Sequence, residues 1–194
     1  MSSGKGTRGP YAKTEARRAD ILRTSLEAFA ERGFQGSSLR EIAEAAGLSQ
    51  AGVLHHFSSK EALLAAVIAE KDAVSVAHFE NQDRAVLDAL RDVVVANLEQ
   101  PGLVRLFATL SAEAINVDHP AHDYFELRYA RSRRQLAAAL RHGQTQGEVN
   151  PSLDAEVVAG LLLAAMDGLQ VQWLLDPQFD MLAALDLLLA TLRS

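Results

Sequence analysis

No cysteine occurs in the 194 residues, which excludes a disulfide framework and thiolate chemistry. That absence fits a reducing cytosol, and a cytoplasmic location is expected. Long apolar runs are missing too. The most apolar stretch, 157–166, is too short to span a bilayer, and the basic first residues lack the apolar core of a secretory signal. No membrane partner is expected. Strand-type alternation never extends beyond a few residues, and there is no internal repeat. Also absent are GxSxG, a glycine-rich phosphate loop and HExxH, so neither catalysis nor a cofactor is expected.

What is present is apolar and unevenly charged. Hydrophobic residues make up 48% of the chain, enough for a core. The net charge of −6 argues against indiscriminate polyanion binding. Its distribution says more: residues 1–60 carry nine Lys/Arg against six Asp/Glu, while 61–194 carry ten against nineteen. A basic front end precedes an acidic body.

Residues 1–12, with Pro10 and three glycines, read as a flexible basic arm. From 13 the spacing of Ile21, Leu22, Leu26, Phe29 and Ala30 is helical, until Gly33 and Gly36 break it. A short second helix over 38–46 begins at Ser37 or Ser38, with Glu41 placed for a capping box, and Gly47 stops it. Ser49 caps a third helix to about 55, and Ser58 or Ser59 caps a fourth over 59–80. Five further helical patterns cover 83–99, 103–116, 124–146, 154–175 and 179–192. The expected fold is all-α with about nine helices, divided into an N-terminal unit over 13–58 and a helical body over 59–194.

Two short helices joined by a tight turn bury too little surface to stand alone, and the segment 14–33 supplies the third. The helix after Ser49, pinned by Val53 and Phe57, is then free to project. A helix about 10–12 Å across fits the major groove of B-DNA. This is helix-turn-helix geometry, with the motif at about 38–57.

The stretch IAEAAGLSQAGVLHHFSSKEALL resembles the DNA-binding signature of the TetR family of transcriptional regulators. The match runs without gaps through Ile42, Ala43, Ala46, Gly47, Ser49, His56, Phe57, Ser59, Lys60, Glu61 and Leu63. It is specific over about 15–70 and looser beyond, where MDGLQVQWLLDP is similar to the penultimate helix of many members. The resemblance implies a three-helix DNA-binding domain, a linking fourth helix, and a body that binds a ligand and dimerises. It implies a regulator, by default a repressor, that binds a pseudo-palindromic operator as a homodimer and is released by a small-molecule effector. A rival reading is a helical adaptor whose helix-turn-helix unit binds protein.

Expected DNA contacts follow from residue chemistry. Ser38 suits a phosphate. Arg40 reaches a phosphate or a guanine edge, or pairs with Glu44 one turn on. On the third helix Ser49, Gln50, Ala51, Gly52 and His55 face out. Gln50 suits adenine, Ala51 a thymine methyl, and Gly52 lets the backbone come close. The resemblance implies phosphate contacts for His56 and Lys60. It fails at Leu54, where many members carry a tyrosine that bonds phosphate. The reading helix has no Lys or Arg, so non-specific affinity falls to Lys5, Arg8, Lys13, Arg17, Arg18, Arg40 and Lys60.

In the body, the last two helices are apolar on more than one face, which calls for a second partner. Val158, Leu161, Leu162, Ala165, Leu169, Leu182, Leu185 and Leu189 are the expected dimer contacts. The resemblance implies an effector cavity within about 83–175. Its candidate lining is Phe107, Glu113, Asn116, Tyr124, Phe125, Tyr129, Asp167, Gln170 and Trp173, although a lone tryptophan is more often core. Asp167, amid apolar neighbours, is buried with a partner, lines a polar cavity, or sits at a dimer seam. His119 and His122, flanked by Asp118 and Asp123, have metal-compatible spacing but read as a solvated turn. The arginines from 128 to 134 read as a solvated face with acidic partners such as Glu126.

Overall fold

Side-chain caps and glycines divide the chain into helices. A computed structural model describes residues 10–80 and 85–194, with side chains at 14–70 and 85–194. Nine helices lie among the described residues: α1 (Pro10–Gly36), α2 (Leu39–Ala45), α3 (Gln50–His56), α4 (Lys60–Glu80), α5 (Val86–Leu98), α6 (Pro101–Glu113), α7 (His122–Thr145), α8 (Ala155–Leu175) and α9 (Met181–Ala190). The all-α expectation holds. Residues 1–9 of the expected arm, and the side chain of Lys13, lie outside the description. α1 begins at Pro10, earlier than the pattern from 13 suggested; proline fits there because its ring presets a helical φ and its missing N–H has no helical partner.

The chain divides into two compact units after Val67. That point lies inside α4, not at the start of α4 where the sequence placed the boundary. In the first unit, Gly33 breaks α1 with φ 71° and ψ 174°, a region closed to side chains with a Cβ. The chain there turns so that Phe34 is buried against Phe29, ring centroids 5.8 Å apart. The buried Ser37 hydroxyl donates to the carbonyl oxygens of Ala28 and Gly33. Ser38 then closes the capping box with Glu41. Gly47 takes φ 66° and turns the chain from α2 into α3. Ile21, Phe29, Ile42, Val53, Phe57 and Leu63 form the interior.

In the second unit, α8 packs on α6, α7 and α9, and α5 packs on α6, α7 and α9. Leu90, Val94, Leu140, Ala159, Leu162 and Leu185 fill the centre. Gly143 marks a close approach: a Cβ there would lie 3.1 Å from both Val86 Cγ1 and Val149 Cγ2. Asp154 and Asp180 cap α8 and α9 with their carboxylates.

The apolar faces of these two helices sort differently from the expectation. Val158, Leu162, Leu185 and Leu189 are buried in the unit's own core, so they are not available to a partner chain. Ala165, Leu169 and Leu182 are partly buried. Of the eight expected contacts only Leu161 is exposed, at 62%. The outward apolar face instead comprises Leu161 with Val157, Val171 and Leu175 on α8 and Leu187 on α9. At 21 residues α8 is also the one helix among those described that is long and apolar enough to cross a membrane, whereas the stretch 157–166 read as too short. One side of α8 is committed to the core just named.

Candidate DNA-reading surface and ligand cavity

The second helix of the turn motif presents one face outward because its other face is pinned. Val53 is fully buried and Phe57 nearly so. Gln50, Ala51, Leu54 and His55 are exposed, while Gly52 and His56 are half-buried. The Ser49 hydroxyl accepts the Gly52 N–H at 3.1 Å. It thereby satisfies a backbone donor that the helix leaves open, an effect of about 1 kcal/mol. A Cβ on Gly52 would make only ordinary contacts, 3.5 Å from Ser49 Oγ and 3.6 Å from Leu48 Cβ. Packing within the chain therefore does not demand this glycine.

Several expected contact groups already have partners. The Ser38 hydroxyl donates to Glu41 Oε2 at 2.8 Å and accepts the Glu41 N–H at 3.2 Å. Those bonds, with the Ser38 N–H and Arg32 nearby, hold the Glu41 carboxyl below its ordinary pKa. The Ser38 side chain thus serves the cap first. Arg40 makes the i+4 alternative, donating to Glu44 Oε1 at 2.9 Å, and that bond pushes its pKa further up. Both side chains stay mostly exposed, so the pair is weak and exchangeable. The Lys60 ammonium lies 4.2 Å from the centroid of the Phe34 ring. A second stack that spacing did not reveal puts the Arg18 guanidinium 4.5 Å from the Phe57 centroid. Each cation–π contact contributes about 0.5–1 kcal/mol at such sites. Arg17 is exposed, and the His55 and His56 rings meet edge to face with centroids 5.5 Å apart.

The second unit encloses a cavity of about 510 Å3 walled by α5, α6, α7 and α8. Of the candidates, Phe107, Tyr129, Asp167 and Gln170 line it. Glu113, Asn116, Tyr124, Phe125 and Trp173 do not. Phe125 is buried one layer back, edge to face with Phe107 at 5.9 Å, and Tyr124 meets Phe125 edge to face as well. Asn116 is spent on a turn, its Oδ1 accepting the Asp118 N–H. Glu113 faces His119, with Oε2 3.6 Å from Nε2. Trp173 packs against the core.

Asp167 combines two of its three readings: it lines the cavity and is partly buried with a partner. The Tyr129 hydroxyl donates to Asp167 Oδ2 at 2.6 Å. Burial pushes the Asp167 carboxyl above its ordinary value, opposed by the Tyr129 hydrogen bond and the Arg128 charge. Burial and the neighbouring carboxylate push the Tyr129 phenol up to about 12.

Two other expectations are corrected. Arg128 and Arg131 line the cavity, so the arginine run is not wholly a solvated face. Arg128 lies 4.9 Å over the Phe107 ring and 5.6 Å from the Tyr129 centroid. The histidine turn is solvated at residues 115–118 and at Pro120, but not at His119, whose side chain is 8% exposed and whose Nδ1 accepts the Ala121 N–H. His122 Nδ1 meets the Ala114 carbonyl oxygen at 2.8 Å. Ligand atoms of His122, Asp123 and Glu126 come within 4.8 Å of one another, and the two carboxylates are on exposed residues.

The sequence profile described as bacterial regulatory proteins, tetR family, matches residues 21–67, and that of the BetI-type transcriptional repressor C-terminal region matches 83–194. The chain is 27% identical over 156 residues to the HTH-type transcriptional regulator UidR of Escherichia coli (strain K12), covering 78% of this chain and 79% of that one. Among solved structures, a TetR-family transcriptional regulator from Rhodococcus sp. superposes with a TM-score of 0.78 at 25% identity, over 93% of this chain and all of that one. GusR of Salmonella enterica gives 0.76 at 26% identity, over 97% and 98%. UidR and the Rhodococcus protein are transcriptional regulators, which fits the DNA-binding reading and not the adaptor.

Proposed function

The chain belongs to the TetR family of bacterial regulatory proteins and is a helix-turn-helix transcriptional regulator, and we propose that it represses by occupying a pseudo-palindromic operator as a homodimer until a small-molecule effector releases it. The observation that carries this reading is the outward face of α3. Gln50, Ala51, Leu54 and His55 are exposed while Val53 and Phe57 anchor the opposite side. Gln50 presents an amide that can pair with adenine, and the apolar Ala51 and Leu54 suit thymine methyls. Phosphate attraction is assigned to Arg17, Arg40 and Lys60, because α3 has no Lys or Arg.

Dimerisation is assigned to the exposed apolar face of α8 and α9, from Val157 and Leu161 to Leu175 and Leu187. Exposed apolar residues gathered on two helices mark an association site, and a two-fold axis through it produces two reading helices and hence a palindromic site. The effector is assigned to the cavity that contains Asp167 and Tyr129. Release needs an effector that binds the DNA-free conformation more tightly, with a coupling of about 1–3 kcal/mol.

The test uses the full chain. Random duplexes retained by it are sequenced, and the recovered site is placed in a mobility-shift titration across salt. A two-fold symmetric sequence, bound by two chains with salt-dependent affinity, is the expected result. Indifference to every duplex, or a purely monomeric particle, overturns it.

A further inference from the structure

We propose that the effector is a neutral, mainly apolar molecule carrying a hydroxyl group that donates to Asp167, and that the cavity discriminates against both ammonium and carboxylate ligands. This rests on the assignment of the cavity as the effector site.

The wall holds one carboxylate, Asp167, with the Arg128 guanidinium acting on it; Arg131 also lines the cavity, but it is an exposed residue whose charge water and salt screen. An ammonium brought to Asp167 stands beside Arg128, and a carboxylate brought to Arg128 stands beside Asp167. Either way a like charge is met in a partly buried site, where such juxtapositions are disfavoured. A neutral ligand avoids both. The ring faces that a quaternary ammonium would use are compromised as well. Arg128 already lies over Phe107 at 4.9 Å and near Tyr129 at 5.6 Å, so the attraction of those rings for a cation is engaged by the chain itself.

The hydrogen-bonding inventory then selects a donor. Tyr129 gives Asp167 one O–H, whereas an ionised carboxylate can accept about four hydrogen bonds. A ligand hydroxyl supplies a further donor without adding charge, and its own oxygen can accept from a neighbouring donor. The remainder of the ligand meets buried apolar side chains such as Val104 and Leu136. A volume of about 510 Å3 suits a compact organic molecule.

A matched series on one skeleton decides the matter: naphthylmethanol, naphthylmethylammonium, naphthylmethyl-trimethylammonium and naphthoate. Each is titrated calorimetrically into the full-length protein and into Asp167→Asn, which keeps an acceptor for Tyr129 but removes the charge. The alcohol is expected to bind at least tenfold more tightly than any charged analogue, and to lose roughly tenfold on Asp167→Asn. Tighter binding of either ammonium or of the acid overturns the proposal. So does an alcohol that the two proteins bind equally, or that neither binds. The same alcohol is added to the protein–operator complex. Binding without release of DNA leaves this ligand chemistry standing and overturns the coupling proposed above.

Discussion

The hydroxyl of Tyr129 on α7 donates to the carboxylate of Asp167 on α8 at 2.6 Å, joining two walls of the cavity across 38 residues of sequence. Burial of the carboxyl raises its pKa above the ordinary value of 3.8, and this has a consequence for stability. A carboxyl with a raised folded-state pKa is favoured protonated in the native protein. Its contribution is complete at low pH and is lost as pH rises from the ordinary value through the raised one. Thermal melts of the wild type and Asp167→Asn in parallel should therefore diverge above about pH 4, with the wild type losing ground to the variant. Curves that stay parallel up to pH 7 would show that Asp167 ionises in the fold as easily as in water.

Adjacent leucines on α8 have opposite environments, Leu162 1% exposed and Leu161 62% exposed. Leu162→Ala should destabilise the protein by about 2–5 kcal/mol, read from chemical denaturation. Leu161→Asp should leave the helical signal and the unfolding slope unchanged while sedimentation shifts from dimer to monomer. If Leu161→Asp remains dimeric, the association surface lies elsewhere.

Gln50 and Ser49 separate reading from folding. Gln50→Ala should weaken binding to the selected operator by about 1–3 kcal/mol and relax preference at one base step per half-site, with unchanged stability. Ser49→Ala removes the acceptor for the Gly52 N–H and should cost about 1 kcal/mol of stability. Equal losses of stability for the two variants would mean that Gln50 belongs to the fold.

Residues 1–9 hold Lys5 and Arg8. Deleting them should weaken binding to all duplexes alike and reduce the salt slope by up to about two per subunit. A change in base preference without a change in slope would contradict a phosphate role.

Local chemistry was the legible part of this chain. The Ser38–Glu41 capping box, the Ser49 cap and the Gly47 turn depend on neighbours within a few positions, and the structure has them where the sequence put them. Facing was less legible. On α8 nearly every position is apolar, so period alone could not separate Leu161 from Leu162, or find Val157, Val171 and Leu175. The cavity depended on distant neighbours. Phe107 and Phe125 look alike in sequence, yet only Phe107 reaches the interior space, because Phe125 lies behind it, edge to face. Arg128 was hidden in an arginine-rich stretch, and its place over Phe107 depends on a side chain from another helix, α6.

The split of α8 between an inner and an outer apolar face also bears on how gene copies diverge. Position 162 must keep filling its space or the unit loosens, whereas positions 161, 175 and 187 answer only to whatever surface covers them. If two copies pair through that face, duplicated genes can drift at those outer sites until their products no longer mix, each keeping the same interior and the same cavity. Such insulation would let sister proteins in one cell govern separate promoters without trading subunits.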